Sequence, residues 1–159
     1  MSLAFDSNDY LPSGRHEATA SEIKAALVDD FPKSATRSHL YDQWQALREA
    51  IERVIPIEEQ WLDGSFVTRK EDPGDIDLVS HLDGSAVDNL SVADGMLLFG
   101  LLDRDLSRDV HGCHSFPIVI YPDGHPDRPQ YEAALQAFDS LFGHDRNGNQ
   151  KGYVEVVSE

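Results

Sequence analysis

Asp75 and Asp77 flank Ile76 at the end of the run Gly64-Ser65-Phe66-Val67-Thr68-Arg69-Lys70-Glu71-Asp72-Pro73-Gly74-Asp75-Ile76-Asp77-Leu78-Val79. Side chains two apart on a strand share a face, so a strand here presents both carboxylates together. Two such carboxylates repel unless a cation lies between them. Hard oxygen ligands with open positions suit magnesium carrying a phosphate-bearing substrate. Asp75 and Asp77 are therefore the candidate magnesium ligands. The Gly64-Ser65 turn offers backbone N–H groups and a hydroxyl to phosphate oxygens, and glycine permits close backbone approach. Arg69 and Lys70 lie in the connection, where a cation serves either a bound phosphate or the solvent; Thr68 adds a hydroxyl, and Asp72 is expected in solvent. The other use of the aspartates is a solvated strand face that deters edge pairing. Aspartate is depleted in strands, which favours the metal.

Gly-Ser, a short connection and Asp-hydrophobic-Asp resemble the signature of the nucleotidyltransferase superfamily, the DNA polymerase β-like fold. The wording Gly64 to Thr68 with Pro73 to Val79 is similar to a small bacterial family of minimal nucleotidyltransferase-like proteins. So are the opening Leu11-Pro12-Ser13-Gly14-Arg15-His16 and the closing Phe142-Gly143-His144-Asp145-Arg146 with Lys151-Gly152. The resemblance implies an α+β fold, a mixed sheet flanked by helices with two helices near the N-terminus. It implies a nucleoside triphosphate bound with magnesium, with Asp75 and Asp77 on the metal and Gly64, Ser65 and Lys70 on the phosphates. A nucleotidyl group would pass to a hydroxyl acceptor, on protein or RNA.

Members of that superfamily usually add a third acid from a later strand, completing a two-magnesium site. Here the corresponding position reads Cys113-His114-Ser115. His114, the nearest polar side chain, can ligate a metal or accept a proton but brings no negative charge. The resemblance thus implies one of two functions. One is nucleotidyl transfer with Asp75, Asp77 and His114 as catalytic residues, with Asp123 an alternative third acid. The other is a nucleotide-binding or partner-binding protein of a toxin–antitoxin or phage-defence system that transfers nothing.

Several elements must position these residues. Residues 1–17 are polar, with Pro12 and Gly14, and read as an extended arm before a domain of residues 18–159. Thr19 and Glu22 form a capping box that opens a helix ended by Pro32, with Ile23 and Leu27 as its buried stripe. A second helix over 36–54 places Leu40, Trp44, Leu47, Ile51 and Val54 on one apolar face. Strands are expected at 57–62, 75–82, 115–121 and 153–157, with Asp83-Gly84 as a turn. Helices are expected at 92–102, as core, and at 128–142, capped by Gly143, with a loop over 145–149.

The totals exclude several classes. At 159 residues the chain suits one domain, and no apolar run approaches the roughly 18 residues of a membrane span. No basic-then-apolar leader is visible, so the expected compartment is the cytoplasm. Twenty-nine acidic against 13 basic residues, a net −16, oppose broad attraction to nucleic acid and suit either simple solubility or a basic protein partner. His111-Gly112-Cys113-His114 invites zinc, but the spacing fits no closed four-ligand pattern and Cys113 is the single cysteine. Cys113 is expected as a small core residue, and Arg146 and Lys151 as surface cations.

Overall fold

The computed structural model describes residues 3–159, so the first two positions of the expected arm lie outside the described residues. The fold is α+β. Among the described residues five strands form one mixed sheet in the order β1-β5-β2-β3-β4, with six α-helices around it. The strands are β1 (Gly14–Thr19), β2 (Glu59–Asp63), β3 (Ile76–Asp83), β4 (Cys113–Ile120) and β5 (Gly152–Val157). The helices are α1 (Ala20–Lys24), α2 (Arg37–Glu52), α3 (Gly84–Asp88), α4 (Val92–Leu102), α5 (Arg104–His111) and α6 (Arg128–Phe142). Among the described residues no helix is long and apolar enough to cross a membrane.

Thr19 ends β1 and starts α1. Its Oγ1 accepts from the Glu22 N–H at 3.1 Å, while the Glu22 carboxylate accepts from the Thr19 N–H at 2.9 Å, satisfying two helix-end donors at once. A π-helical turn, Ala25–Asp29, follows α1 directly. Leu40, Trp44, Leu47 and Ile51 of α2 are buried in the expected stripe, and the Trp44 indole donates to Gln60 Oε1 at 2.9 Å.

Strand alternation sorts the sheet into two layers. Leu62, Ile76, Leu78 and Val154 face α2 and join Leu27, Trp44 and Ile51 in the larger core. Trp61, Val79, Ile118 and Tyr153 face the other way and pack with Phe142 under Tyr131, Leu135 and Phe138 of α6.

Four local expectations change. Residues 14–17 of the arm belong to β1, which runs parallel to β5 with Gly14 opposite Gly152. This edge strand buries only Ala18 fully, so it carries no apolar alternation to read. Asp83-Gly84 is a helix start rather than a turn, because Asp83 Oδ2 accepts from the Ala86 N–H at 3.0 Å and caps α3. α5 is an element that the sequence reading lacks. Asp103 caps it by accepting from the Asp105 and Leu106 N–H groups at 3.1 and 2.9 Å, and Gly112 ends it at φ 65°. Finally, of the 92–102 run expected as core, only Leu98 is buried; Val92, Met96, Leu97 and Phe99 are exposed. Composition marks that run as apolar but does not specify a surface to cover it.

Candidate functional site

The sheet register assembles the site. Asp63 on β2 lies directly opposite Asp77 on β3, and Asp77 lies directly opposite His114 on β4. Opposed residues share a face, so these three side chains form a row across one end of the sheet, on the α6 side. Asp75 stands one residue before β3 rather than inside the expected strand, and still lines the same cleft. The cleft has a volume of about 840 Å³. It brings together Asp75, Asp77, His114, Gly64, Ser65, Thr68 and Lys70, and from the far end of the chain Arg146 and Lys151. Other candidates lie elsewhere. Arg69 pairs with Asp9 at 3.4 Å, Asp72 accepts from the Ala35 N–H at 2.7 Å, and Asp123 pairs with Arg128 at 3.4 Å beyond the far end of β4.

Each wall of the cleft has an identifiable support. Gly64 has φ 84°, and a Cβ there would stand 3.0 Å from Asp77 Oδ2, so the residue lets the turn lie against that carboxylate. The segment after it holds a 3₁₀ turn, Ser65–Val67, which Thr68 closes by donating its hydroxyl to the Ser65 carbonyl at 2.7 Å. Beneath it lies Arg37, fully buried, which the sequence reading passed over. Its guanidinium donates to the carbonyls of Leu27 (2.9 Å), Phe66 (2.7 Å), Thr68 (2.7 Å) and Lys70 (2.6 Å) and sits 3.8 Å from the Phe31 ring centre. Burial lowers its pKa to about 10, which leaves it a cation at neutral pH.

The opposite wall is the loop between α6 and β5. Asp145 organises it by accepting from the Asn149 side chain at 3.1 Å, from the Asn149 and Asn147 N–H groups at 2.9 Å each, and from the Tyr10 hydroxyl at 2.9 Å. These donors, the Asn149 side chain foremost, hold the Asp145 carboxyl down at about 2. Tyr10 thereby ties the N-terminal segment to the cleft.

The floor combines charges of both signs. Burial, and then the charge of Asp75, pushes the Asp77 carboxyl above its usual range. His114 Nδ1 lies 3.6 Å from Asp77 Oδ1, and Arg108 Nε lies 3.1 Å from Asp75 Oδ2. Behind them Lys151, far from the surface cation expected, is buried and donates to Asp63 Oδ1 and, at 2.9 Å, to the Phe142 carbonyl. Burial pushes Asp63 up to about 7 against the pull of Lys151. Carboxylates of Asp63, Asp75, Asp77 and Asp145 thus share the cleft with the cations of Lys70, Arg108, Arg146 and Lys151. In a chain with 29 acids and 13 bases, four carboxyls matched by four cations make the cleft locally balanced in charge.

The metal question follows from the donor set. Among the described residues no group of three or more His, Cys, Asp and Glu side chains is arranged to hold a metal ion. Burial, then Asp75 and Asp77, raise the Cys113 thiol to about 12, which suits neither a zinc thiolate nor a nucleophile. Asp63 and Lys151 satisfy each other. What remains on the cleft floor is Asp75, paired with Arg108, and Asp77, beside His114 Nδ1, two carboxylates too few to cage an ion by themselves.

A pH dependence follows from the raised carboxyls. Folding holds the protons of Asp77 and Asp63 more tightly than the unfolded chain does. Their contribution to stability is complete below the unfolded value of about 3.9 and is lost as pH rises through the folded values, about 7 for Asp63. Measured relative to the natural protein, the urea midpoint of Asp77→Asn should therefore gain as pH rises from 4 to 7, since the variant lacks the Asp77 share of that loss. An unchanged slope in that variant would show that Asp77 is not perturbed.

No curated protein and no solved structure gives a significant match to the chain. Residues 3–157 match the family described as "Family of unknown function (DUF6932)", and since that match takes in both walls and the floor of the cleft, the chain belongs to this family.

Proposed function

We propose that the cleft binds a nucleoside triphosphate with magnesium, in a fold of nucleotidyltransferase-like kind. The observation that carries this reading is Asp75 and Asp77 on the cleft floor, with the Gly64-Ser65 turn lying against Asp77. Asp75 and Asp77 would hold the ion, and its chemistry when bound is to neutralise phosphate charge and polarise the reacting phosphoryl group. Lys70 and Arg146 line the cleft as partners for the phosphate oxygens, and Ser65 offers its hydroxyl. His114 turns Nδ1 toward Asp77, which leaves Nε2 to accept a proton from an acceptor hydroxyl, on protein or RNA.

A specific observation favours binding over rapid transfer. The residue facing Asp77 from β4 is an imidazole rather than a carboxylate, and the other acid in the row, Asp63, is neutralised by Lys151. Transfer by the natural protein is therefore slow or absent. A nucleotide-binding role within a two-protein system, of toxin–antitoxin or phage-defence type, accommodates that state.

Binding is tested first. A triphosphate with magnesium at a hundredfold its dissociation constant adds roughly 2.7 kcal/mol, or about 5–10 °C in melting temperature. Asp75→Asn with Asp77→Asn should abolish this shift without unfolding the protein. No shift with any common triphosphate would refute the reading. Transfer is tested with labelled triphosphate in magnesium and in manganese. The natural protein should label acceptors slowly or not at all, and His114→Asp should raise metal affinity. Robust transfer that survives His114→Ala would mean that another residue takes the proton.

A further inference from the structure

We infer that α4 and α5 form a docking surface for a basic amphipathic helix of another protein. On α4 the residues Val92, Met96 and Phe99 follow one another at helical spacing and are 82, 72 and 75% exposed. Leu97 of α4 and Leu106 and Val110 of α5 are exposed as well. The two helices are joined through Asp103 alone, and Leu106 Cδ2 lies 3.8 Å from where a Cβ on Gly100 would stand, so the two apolar faces adjoin. Six exposed apolar side chains gathered on two adjoining helices are the kind of surface that marks an interface.

Charge selects the occupant. From residue 88 to residue 110 the charged side chains are five aspartates, at 88, 94, 103, 105 and 109, against Arg104 and Arg108. Arg108 is engaged by Asp75 and Arg104 lies 3.9 Å from Asp105, so the segment that carries the patch is left net negative. A second copy of this chain would bring the same aspartates against them, between molecules of net −16. An anionic lipid surface is repelled for the same reason. A helix with an apolar stripe flanked by Lys and Arg satisfies both the patch and its rim.

The test uses the full chain and a synthetic leucine–lysine peptide with its leucines on one helical face, titrated by calorimetry at physiological salt. The controls are the same composition with the leucines scrambled and a leucine–glutamate analogue. The expected result is binding of the first peptide alone, weakened at least about tenfold by Met96→Ser with Phe99→Ser. Both side chains are exposed, so the fold should persist; if melting shows otherwise, Val92→Ser with Val110→Ser replaces that pair. Four results would overturn the inference. These are no binding, equal binding of the scrambled peptide, a dimer in sedimentation that the substitutions dissolve, and association with neutral phosphatidylcholine vesicles that they abolish.

Discussion

Arg37→Met is expected to destabilise the protein by about 3–5 kcal/mol, the upper part of the range for single substitutions, because it strands several buried hydrogen-bond acceptors at once. The Arg37 guanidinium donates only to carbonyls, those of Leu27, Phe66, Thr68 and Lys70, and the side chain is wholly buried. Methionine fills much of the volume but leaves these acceptors without their donors, and each buried carbonyl so stranded costs on the order of 1–3 kcal/mol. Arg37→Lys should restore only part of the loss, since an ammonium has three donors and no planar fork. Three of the four carbonyls belong to the Gly64-to-Lys70 wall, so a local signature accompanies the global one. Amide exchange at residues 65–70 should accelerate more in Arg37→Lys than exchange in α6 does. Urea unfolding measures the first effect, and a loss below about 1 kcal/mol would show that solvent reaches these carbonyls.

Lys151→Met is the second large effect, again about 3–5 kcal/mol. It strands Asp63, buried and opposite Asp77, without a counter-charge. The stranded carboxyl can escape by taking up a proton, and burial already holds its pKa at about 7 with Lys151 present. The loss should therefore be greater at pH 8 than at pH 5. Asp63→Asn combined with Lys151→Met removes the charge and should recover most of the stability. A double variant as unstable as the single one would assign the loss to the Lys151 bond with the Phe142 carbonyl instead.

The parts of this molecule legible in its sequence are those set by neighbours along the chain. The α2 stripe follows from helical spacing, the start of α1 from a capping box spanning four residues, and Asp77 from its place in a strand that Asp75 just precedes. Asp63, Arg37, Lys151 and Tyr10 escaped because their meaning lies in contacts across 88, 29, 88 and 135 residues respectively. A lysine before a short terminal strand carries no local mark of burial. Nor does an arginine at a helix start, where exposure is the ordinary outcome. α5 escaped for a different reason. Its sequence, RDLSRDVH, is short and mostly polar, and it buries only Ser107, whose hydroxyl donates to the Cys113 carbonyl at 2.7 Å.

Pro117 lies in the middle of β4, an outer strand of the sheet. The Ile76 N–H donates to the Gly112 carbonyl, and in parallel pairing this turns the even-numbered residues of β4 toward β3. The nitrogen of Pro117 therefore faces outward, at a point where an incoming chain would need a donor and finds none. The other outer strand, β1, meets newcomers with Arg15, His16 and Glu17. Polymerisation strand upon strand, the route to amyloid, is thus hindered at both margins of the sheet.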